Sequence, residues 1–346
     1  MMTLELKEDE TSIHKAAAIL REGGLVAFPT ETVYGLGGDA FNPDSARRIY
    51  AAKGRPSDNP LIVHIADMES LDRLCPRIPE RLHLLADAFW PGPLTMIVEK
   101  RPELPSETTG GLDTVAIRMP HHETALALIR EAGGYIAAPS ANASGRPSPT
   151  LASHVWEDLN GRIDAILDGG EVGIGVESTI VDLSGEVPTI LRPGYITEEM
   201  LSRVLGEVSV DPTLMHPDAT ARPKAPGMRY RHYAPKGSMQ LVEGEAADVT
   251  AEINRRIRES SLRCGVLCTD ETKALYEGGL VRSLGNRNDL SSIALQLYRA
   301  LREFDKEGIE EIYSESFPAE GFGQAVMNRM LKAAGYRILK TGGNKQ

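Results

Sequence analysis

The sequence predicts two α/β domains joined by a proline-rich connector, and three observations carry that expectation. Residues 1–206 mix helical and strand-like patterns without strict alternation, which argues for a mixed sheet and against a pure βαβ array. Residues 207–238 hold five prolines (Pro212, Pro217, Pro223, Pro226 and Pro235) and few apolar positions, as an extended linker does. From residue 239 onward, to 346, strand and helix patterns alternate cleanly, as in a smaller parallel-sheet unit.

In the first domain, Thr11 or Ser12 can cap a helix whose apolar positions Ile13, Ala16, Ala17 and Leu20 share one face, and Gly23-Gly24 ends it. A short strand over 25–28 leads into a polar, Gly-rich turn. Asn42-Pro43 is a cap and first-turn signal for a helix over 44–52. A basic turn over 53–60 and a strand over 61–65 follow. Helices are expected near 67–75 and 80–89, strands at 94–98 and 114–119, then a helix over 122–132 ending at Gly133-Gly134. Strand 135–138, a loop, and a helix near 151–159 come next. Strands near 164–167, 178–183 and 188–191 and a helix around 197–205 complete the domain. In the second unit the pattern reads strand 239–242, helix 246–259, strand 264–268, helices near 271–277 and 289–304, strand 309–313, helix 323–334 and strand 336–340.

Bulk properties narrow the function. A chain of 346 residues that is 41% hydrophobic and 25% charged is globular in composition, and no apolar run is long enough to span a membrane. The start, MMTLELKEDE, is acidic and unlike a secretory leader, so the cytoplasm is the expected compartment. Residues 1–206 carry 18 Lys/Arg and 30 Asp/Glu, a balance of −12, and the remainder 20 and 19, a balance of +1. Such an acidic first domain is a poor nucleic-acid binder, because counterion release needs a cationic surface. Cys264 and Cys268 lie in the apolar run CGVLC and read as buried thiols in a strand, and no metal site is expected.

Candidate site residues cluster at the turns. Lys53, Arg55, Ser57 and Asn59 occupy alternate positions, and in an extended segment they share one face. Two cations, a hydroxyl and an amide on one face suit a polyphosphate; a solvated basic loop is the plainer reading. Gly35-Leu36-Gly37-Gly38-Asp39-Ala40 fits G-x-G-x-x-A, but polar residues separate it from the preceding strand and the next helix starts too late for dinucleotide binding. Thr114 and Arg118, four apart, face the same way on one strand. A buried Arg needs an anion, either a substrate carboxylate or an internal one. His64 ends a strand, where structural and binding roles are both open. Ser140 and Asn142, Ser178, and Arg192 sit at strand ends, where α/β sites form. The segment 225–235, APGMRYRHYAP, packs aromatics and cations that a passive tether does not need; it either reaches a site in the first domain or docks on a domain surface.

Together these stretches resemble one family. FPTETVYGLG (28–37), the K-x-R-x-x-x-N-P turn (53–60), WPGPLT (90–95), GLDTVAIRMP (111–120), APSAN (138–142), RPSPT (146–150), GVESTIVD (175–182), LRPG (191–194) and APGMRYRHYAP (225–235) are similar to L-threonylcarbamoyladenylate synthases of the long, two-domain form. The resemblance implies a YrdC-like twisted mixed sheet around a large concave cavity, followed by a smaller Rossmann-like domain. It implies a nucleotidyltransferase that joins L-threonine, bicarbonate or CO2, and ATP into threonylcarbamoyl-AMP with release of pyrophosphate. That is the first step of threonylcarbamoyl-adenosine formation on tRNA, completed by a downstream tRNA threonylcarbamoyl transferase complex. It implies Thr30, His64, Thr114, Arg118 and Ser178 at L-threonine, with Arg118 on its carboxylate. Lys53, Arg55, Ser57 and Asn59 fall to the phosphates, with Lys53 and Arg55 catalytic. Ser140, Asn142, Ser148, Arg192 and Tyr233 fall to ATP, which carries Mg2+. The linker then acts as a lid. Two other readings stay open: an RNA-binding module, and a different carbamoyl- or adenylyl-transfer enzyme.

Overall fold

Leu4–Lys7 forms the first strand (β1) and Glu10–Arg21 the first helix (α1) in the computed structural model, which describes residues 2–214, 225–226 and 232–342. The helix starts earlier than the sequence suggests. Its cap is Asp9, whose carboxylate accepts from Ser12 N at 2.8 Å, so Thr11 and Ser12 lie inside the first turn. Next come β2 (Val26–Phe28), β3 (Gly35–Asp39), α2 (Pro43–Lys53), β4 (Ile62–His64) and α3 (Leu71–Leu74). The helix expected over 67–75 shrinks to α3 because Asp67 Oδ1 accepts from both Ser70 N and Ser70 Oγ, which holds 67–70 as a turn. Then follow α4 (Glu80–Phe89), β5 (Leu94–Glu99), β6 (Thr114–Arg118), α5 (Glu123–Glu131), β7 (Ile136–Ala138), α6 (Ala152–Leu159), β8 (Ala165–Asp168), β9 (Thr179–Asp182), β10 (Thr189–Arg192), α7 (Glu198–Leu205) and β11 (Ser209–Val210).

These eleven strands make one mixed sheet, in the order β1-β8-β2-β3-β7-β4-β6-β5-β9-β10-β11. Pairs β4/β6 and β5/β9 run parallel, and β5/β6, β4/β7 and β3/β7 antiparallel. Helices α1 and α5 cover part of it, burying Ala16, Ala17, Leu20, Leu128 and Ile129 against Val26, Phe28, Ile136 and Leu167. That apolar burial is the main stabilising term for this layer.

The Gly-rich stretch is not a turn but the strand β3, paired antiparallel to both β2 and β7. Its glycines serve close packing. A Cβ on Gly37 would stand 2.7 Å from Ile136 Cγ2 and 3.0 Å from Phe28 Cε1; one on Gly38 would meet Ser45 Cβ at 3.0 Å. Gly37→Ala is therefore expected to lose about 1–3 kcal/mol of stability by overpacking, read from urea denaturation; an unchanged midpoint would show that the sheet can spread there.

The chain divides into two compact units, residues 1–144 with 148–230, and 145–147 with 231–346. The connector is thus less of a free linker than its composition suggests. Its start pairs β11 in parallel with β10, and Ala225 lies buried with Ile62, Ile97, Ala116, Ile180 and Leu191. Residues 215–224 and 227–231, part of the expected lid, lie outside the described residues.

In the second unit, β12 (Ser238–Glu243), α8 (Ala246–Glu259), β13 (Cys264–Cys268), β14 (Leu280–Ser283), α9 (Leu290–Lys306), β15 (Glu311–Glu315), α10 (Gly323–Ala333) and β16 (Ile338–Lys340) form a parallel sheet in the order β14-β13-β15-β12-β16. The helix expected near 271–277 is only a 3-10 turn at Lys273–Leu275, and β14 is an edge strand that its half-exposed LVRS pattern hides. All of β13 is buried, with both cysteines as free thiols. No described helix is long and apolar enough to cross a membrane.

Candidate active site

Strand register gathers the site. Across β4/β6, His64 stands beside Arg118; across β5/β6, Arg118 stands beside Thr95. Thr95 Oγ1 is 2.7 Å from the hydroxyl of Ser178, which lies just before β9. Ser178 in turn accepts from Arg192 at the end of β10, at 2.9 Å through its carbonyl and 3.1 Å through its hydroxyl. Five neighbouring strands so place His64, Arg118, Thr95, Ser178 and Arg192 in one buried row. Arg192 Nη1 also donates to Pro226 O at 3.4 Å, which ties the described part of the connector to this row.

The turn after β2 closes over the row. Thr30 Oγ1 donates to Val33 O at 2.7 Å and sits 3.0 Å from Thr32 Oγ1, a local turn that small hydroxyl residues favour. Thr32 Oγ1 accepts from Arg118 Nη1 at 2.9 Å, and Arg118 Nε donates to Gly92 O at 3.4 Å. The anion expected for Arg118 is internal: Glu31 Oε2 lies 2.6 Å from Nη2. A buried guanidinium needs such a counter-charge.

His64 packs edge-on against Phe28, its Nδ1 donating to Ile62 O at 3.1 Å in the tautomer this contact requires. Burial, then the charge of Arg118, pushes its pKa down to about 3. Between that value and the ordinary 6.5 the unfolded chain binds a proton that the folded chain refuses. Acidification through this window therefore destabilises the fold, by up to about 1.4 kcal/mol per pH unit. His64→Asn is expected to flatten the pH dependence of unfolding free energy between pH 6 and 5, and an unchanged slope would refute the assignment.

The basic turn is built differently from its pattern. Lys53 is the last residue of α2, Gly54 caps the helix in the left-handed conformation, and Asn59 N donates to Pro56 O at 3.2 Å. No extended segment exists for alternate side chains to share. The helix continues through Lys53 because Pro56 lies just far enough on to end it without clashing. Lys53 Nζ donates to the carbonyls of Ser140 and Asn142, and Arg55 donates to Asn59 O at 3.2 Å and Pro60 O at 3.0 Å. Lys53, Arg55 and Asn59 are buried and Ser57 is exposed. Asn59 Oδ1 is buried without a hydrogen-bond partner among the described residues.

Lys53 also fixes the loop after β7. Ser140 bridges Gly35, and its hydroxyl donates to Asn142 Oδ1 at 2.6 Å. Ser148 is fully buried and donates to Glu177 Oε1. Such an array of fixed cations, hydroxyls and amides can hold anions and polarise phosphoryl oxygens. Among the described residues no group of three or more His, Cys, Asp or Glu could hold a metal.

One expected residue falls apart from this cluster. Thr114 pairs with Glu99 at the opposite end of β6 from Arg118. Four residue steps along the strand separate them by about 13 Å, so Thr114 lies outside the hydrogen-bonded row. Tyr233 belongs to the second unit, where it is buried with a ring centroid 5.4 Å from Tyr298. Sequence reasoning missed Glu31, Thr32, Thr95 and Glu177 as members. Thr95 had one signal, a lone hydroxyl in the apolar run LTMIV; Glu31 had another, a carboxylate between two threonines.

The chain matches a family model, Sua5_yciO_yrdC, described as "Telomere recombination", over residues 18–194, and one described as "Threonylcarbamoyl-AMP synthase, C-terminal domain" over residues 196–335. It is 50% identical over 340 residues to a threonylcarbamoyl-AMP synthase of Bacillus subtilis, covering 98% of this chain and 97% of that one. It is 48% identical to a protein of the same name from Pyrococcus abyssi, covering 96% of each. The crystal structure of P. abyssi Sua5 complexed with L-threonine superposes with a TM-score of 0.92 at 47% identity, over 98% of this chain and 99% of that one.

Proposed function

This chain belongs to the Sua5/YciO/YrdC family in its two-domain form, and on that premise we propose how its buried row of side chains makes threonylcarbamoyl-AMP. The chain joins L-threonine, bicarbonate or CO2, and ATP into this mixed anhydride and releases pyrophosphate, as a nucleotidyltransferase serving tRNA modification. One observation carries the residue assignment: two hydrogen-bonded sets, Thr30–Thr32–Arg118 and Thr95–Ser178–Arg192, stand side by side where Thr95 pairs with Arg118 across β5/β6, and none of the six forms a nucleophile–base pair.

That composition suits the chemistry. The threonine amine and bicarbonate or CO2 form a carbamate. Its oxygen attacks the α-phosphorus of ATP, the bond to the β-phosphate oxygen breaks, and pyrophosphate leaves with the electron pair. The carbamate is already a nucleophile, so the protein needs only to align it and stabilise charge on the transferring group. Arg118 takes the threonine carboxylate, and Thr30, His64 and Ser178 shape that end; neutral His64 adds no competing charge. Lys53 holds the Ser140–Asn142 loop against the nucleotide, and Arg55, Asn59, Ser148 and Arg192 complete the phosphate side. Mg2+ arrives on ATP as part of the substrate. The connector residues Ala225 and Pro226, held against the row by burial and by Arg192, help to exclude water from a labile carbamate. A cytoplasmic transferase complex would then move the product to tRNA, with no direct nucleic-acid binding by this acidic first domain.

The test is pyrophosphate release from ATP, with and without L-threonine and bicarbonate. Release is expected to need both, and release indifferent to threonine would sink the reading.

A further inference from the structure

The ion pair at the centre of the amino-acid end is under-satisfied. Glu31 Oε2 and Arg118 Nη2 are 2.6 Å apart, with side chains 11% and 5% exposed. The contact has the distance of an ion pair without the angles of a hydrogen bond. Among the described residues, neither Glu31 oxygen accepts a hydrogen bond and Arg118 Nη2 donates none. The other two guanidinium nitrogens are occupied by Gly92 O and Thr32 Oγ1. His122 feels the charge of Glu31, but burial pushes its own pKa below the ordinary imidazole value, so it is a weak counter-ion.

Buried polar groups ordinarily find partners, and a buried carboxylate held by Coulomb attraction alone has given up water's donors for nothing equivalent. The backbone does not offer relief. Glu31 O accepts from Ile174 N at 2.8 Å and Thr32 O from Gly175 N at 3.1 Å, so this turn is pinned and only side chains can rearrange. What is missing is specific: an acceptor for Nη2 and donors for a carboxylate, side by side in a dry place. The head of an amino acid supplies both, as carboxylate and ammonium.

We infer that Glu31 is the residue that recognises the α-amino group: the incoming zwitterion inserts into the Glu31–Arg118 pair, its carboxylate on Arg118 and its ammonium on Glu31. This rests on the reading of Arg118 as the threonine-carboxylate site. The exchange buries no net charge, because a neutral pair accepts a neutral zwitterion, and both partners gain the hydrogen bonds they lack. Specificity follows from the same step. An acid without the amine must break the pair and leave Glu31 buried and unpaired, which is how a polar site rejects a ligand lacking one group.

The test uses calorimetric titration of the full-length chain with L-threonine and with 3-hydroxybutyrate, which is threonine without its α-amino group. The wild-type chain should prefer L-threonine by roughly 100-fold or more. Glu31→Gln should narrow that preference by about tenfold or more, because the amine loses its partner while Arg118 is freed for any carboxylate. Glu31→Asp keeps the charge and shortens its reach, and should narrow it by about threefold or more even if Glu31→Gln does not fold. A preference unchanged in either folded variant, or both ligands weakened by one common factor, overturns the inference, since a merely structural glutamate would act so. Arg118→Gln separates this from the premise. If it binds both ligands as the wild type does, the amino-acid site is elsewhere; if it loses both while Glu31→Gln keeps the full preference, Glu31 alone is misassigned.

Discussion

Arg118→Gln is expected to suppress threonine-dependent pyrophosphate release by about two to three orders of magnitude in kcat/KM, a loss of roughly 2–4 kcal/mol of transition-state stabilisation. The guanidinium reaches Thr32, Gly92 and Glu31 at once, so no neighbouring group can replace it. The same change leaves the Glu31 carboxylate buried beside no cation, and breaking a buried pair from one side costs about 3–5 kcal/mol of stability. Activity and stability can be separated with the double variant Glu31→Gln/Arg118→Gln. Removing both charges should recover most of the folding free energy in urea titrations while threonine-dependent turnover stays lost. Recovery of turnover in the double variant would show that Arg118 serves packing rather than substrate.

Lys53→Met is expected to lower kcat by about two orders of magnitude or more at saturating ATP. Its ammonium donates to the carbonyls of Ser140 and Asn142, whose side chains hydrogen-bond each other in the loop proposed above for the nucleotide. Removing it strands two carbonyls in a buried place, at about 1–3 kcal/mol each if water cannot reach them. Lys53→Arg should not rescue the rate, because a planar fork cannot point one nitrogen between two converging carbonyls. Single-turnover pyrophosphate release is the measurement, corrected for folded fraction. A Lys53→Met chain as fast as the wild type would move the phosphate side away from this loop.

The two variants probe residues that were legible to different degrees. Arg118 announced itself as a cation in an apolar strand, and the open question was whether its anion is substrate or protein. The structure sets Glu31 beside it, which by sequence was one more acid in an acidic domain, and the proposed exchange brings the substrate carboxylate to the same guanidinium. Lys53 was legible as a charged residue and illegible as geometry. Alternate spacing suggested an extended face, but the helix runs through Lys53 and the turn folds Arg55 back on its own carbonyls.

Local signals determined much of the fold. The helix over 80–89, the helix over 246–259 and strand 264–268 stand where their apolar patterns place them, because such a pattern is a property of a few adjacent positions. The motifs from FPTETVYGLG to LRPG likewise identified the family from sequence alone. Only the tertiary structure decided that Gly35–Asp39 is a strand, since the reason for its glycines is the closeness of Ile136, Phe28 and Ser45, far away in the chain. Only it decided that Thr114 stands apart and that Thr95 stands beside Arg118, since register across a sheet is set by the pairing partner and not by the strand itself. The sequence determined which chemical groups the chain owns and the short elements that carry them. Pairing between distant strands decided which of those groups meet, because a site assembled from five strand ends is a sum of long-range contacts that no local pattern encodes.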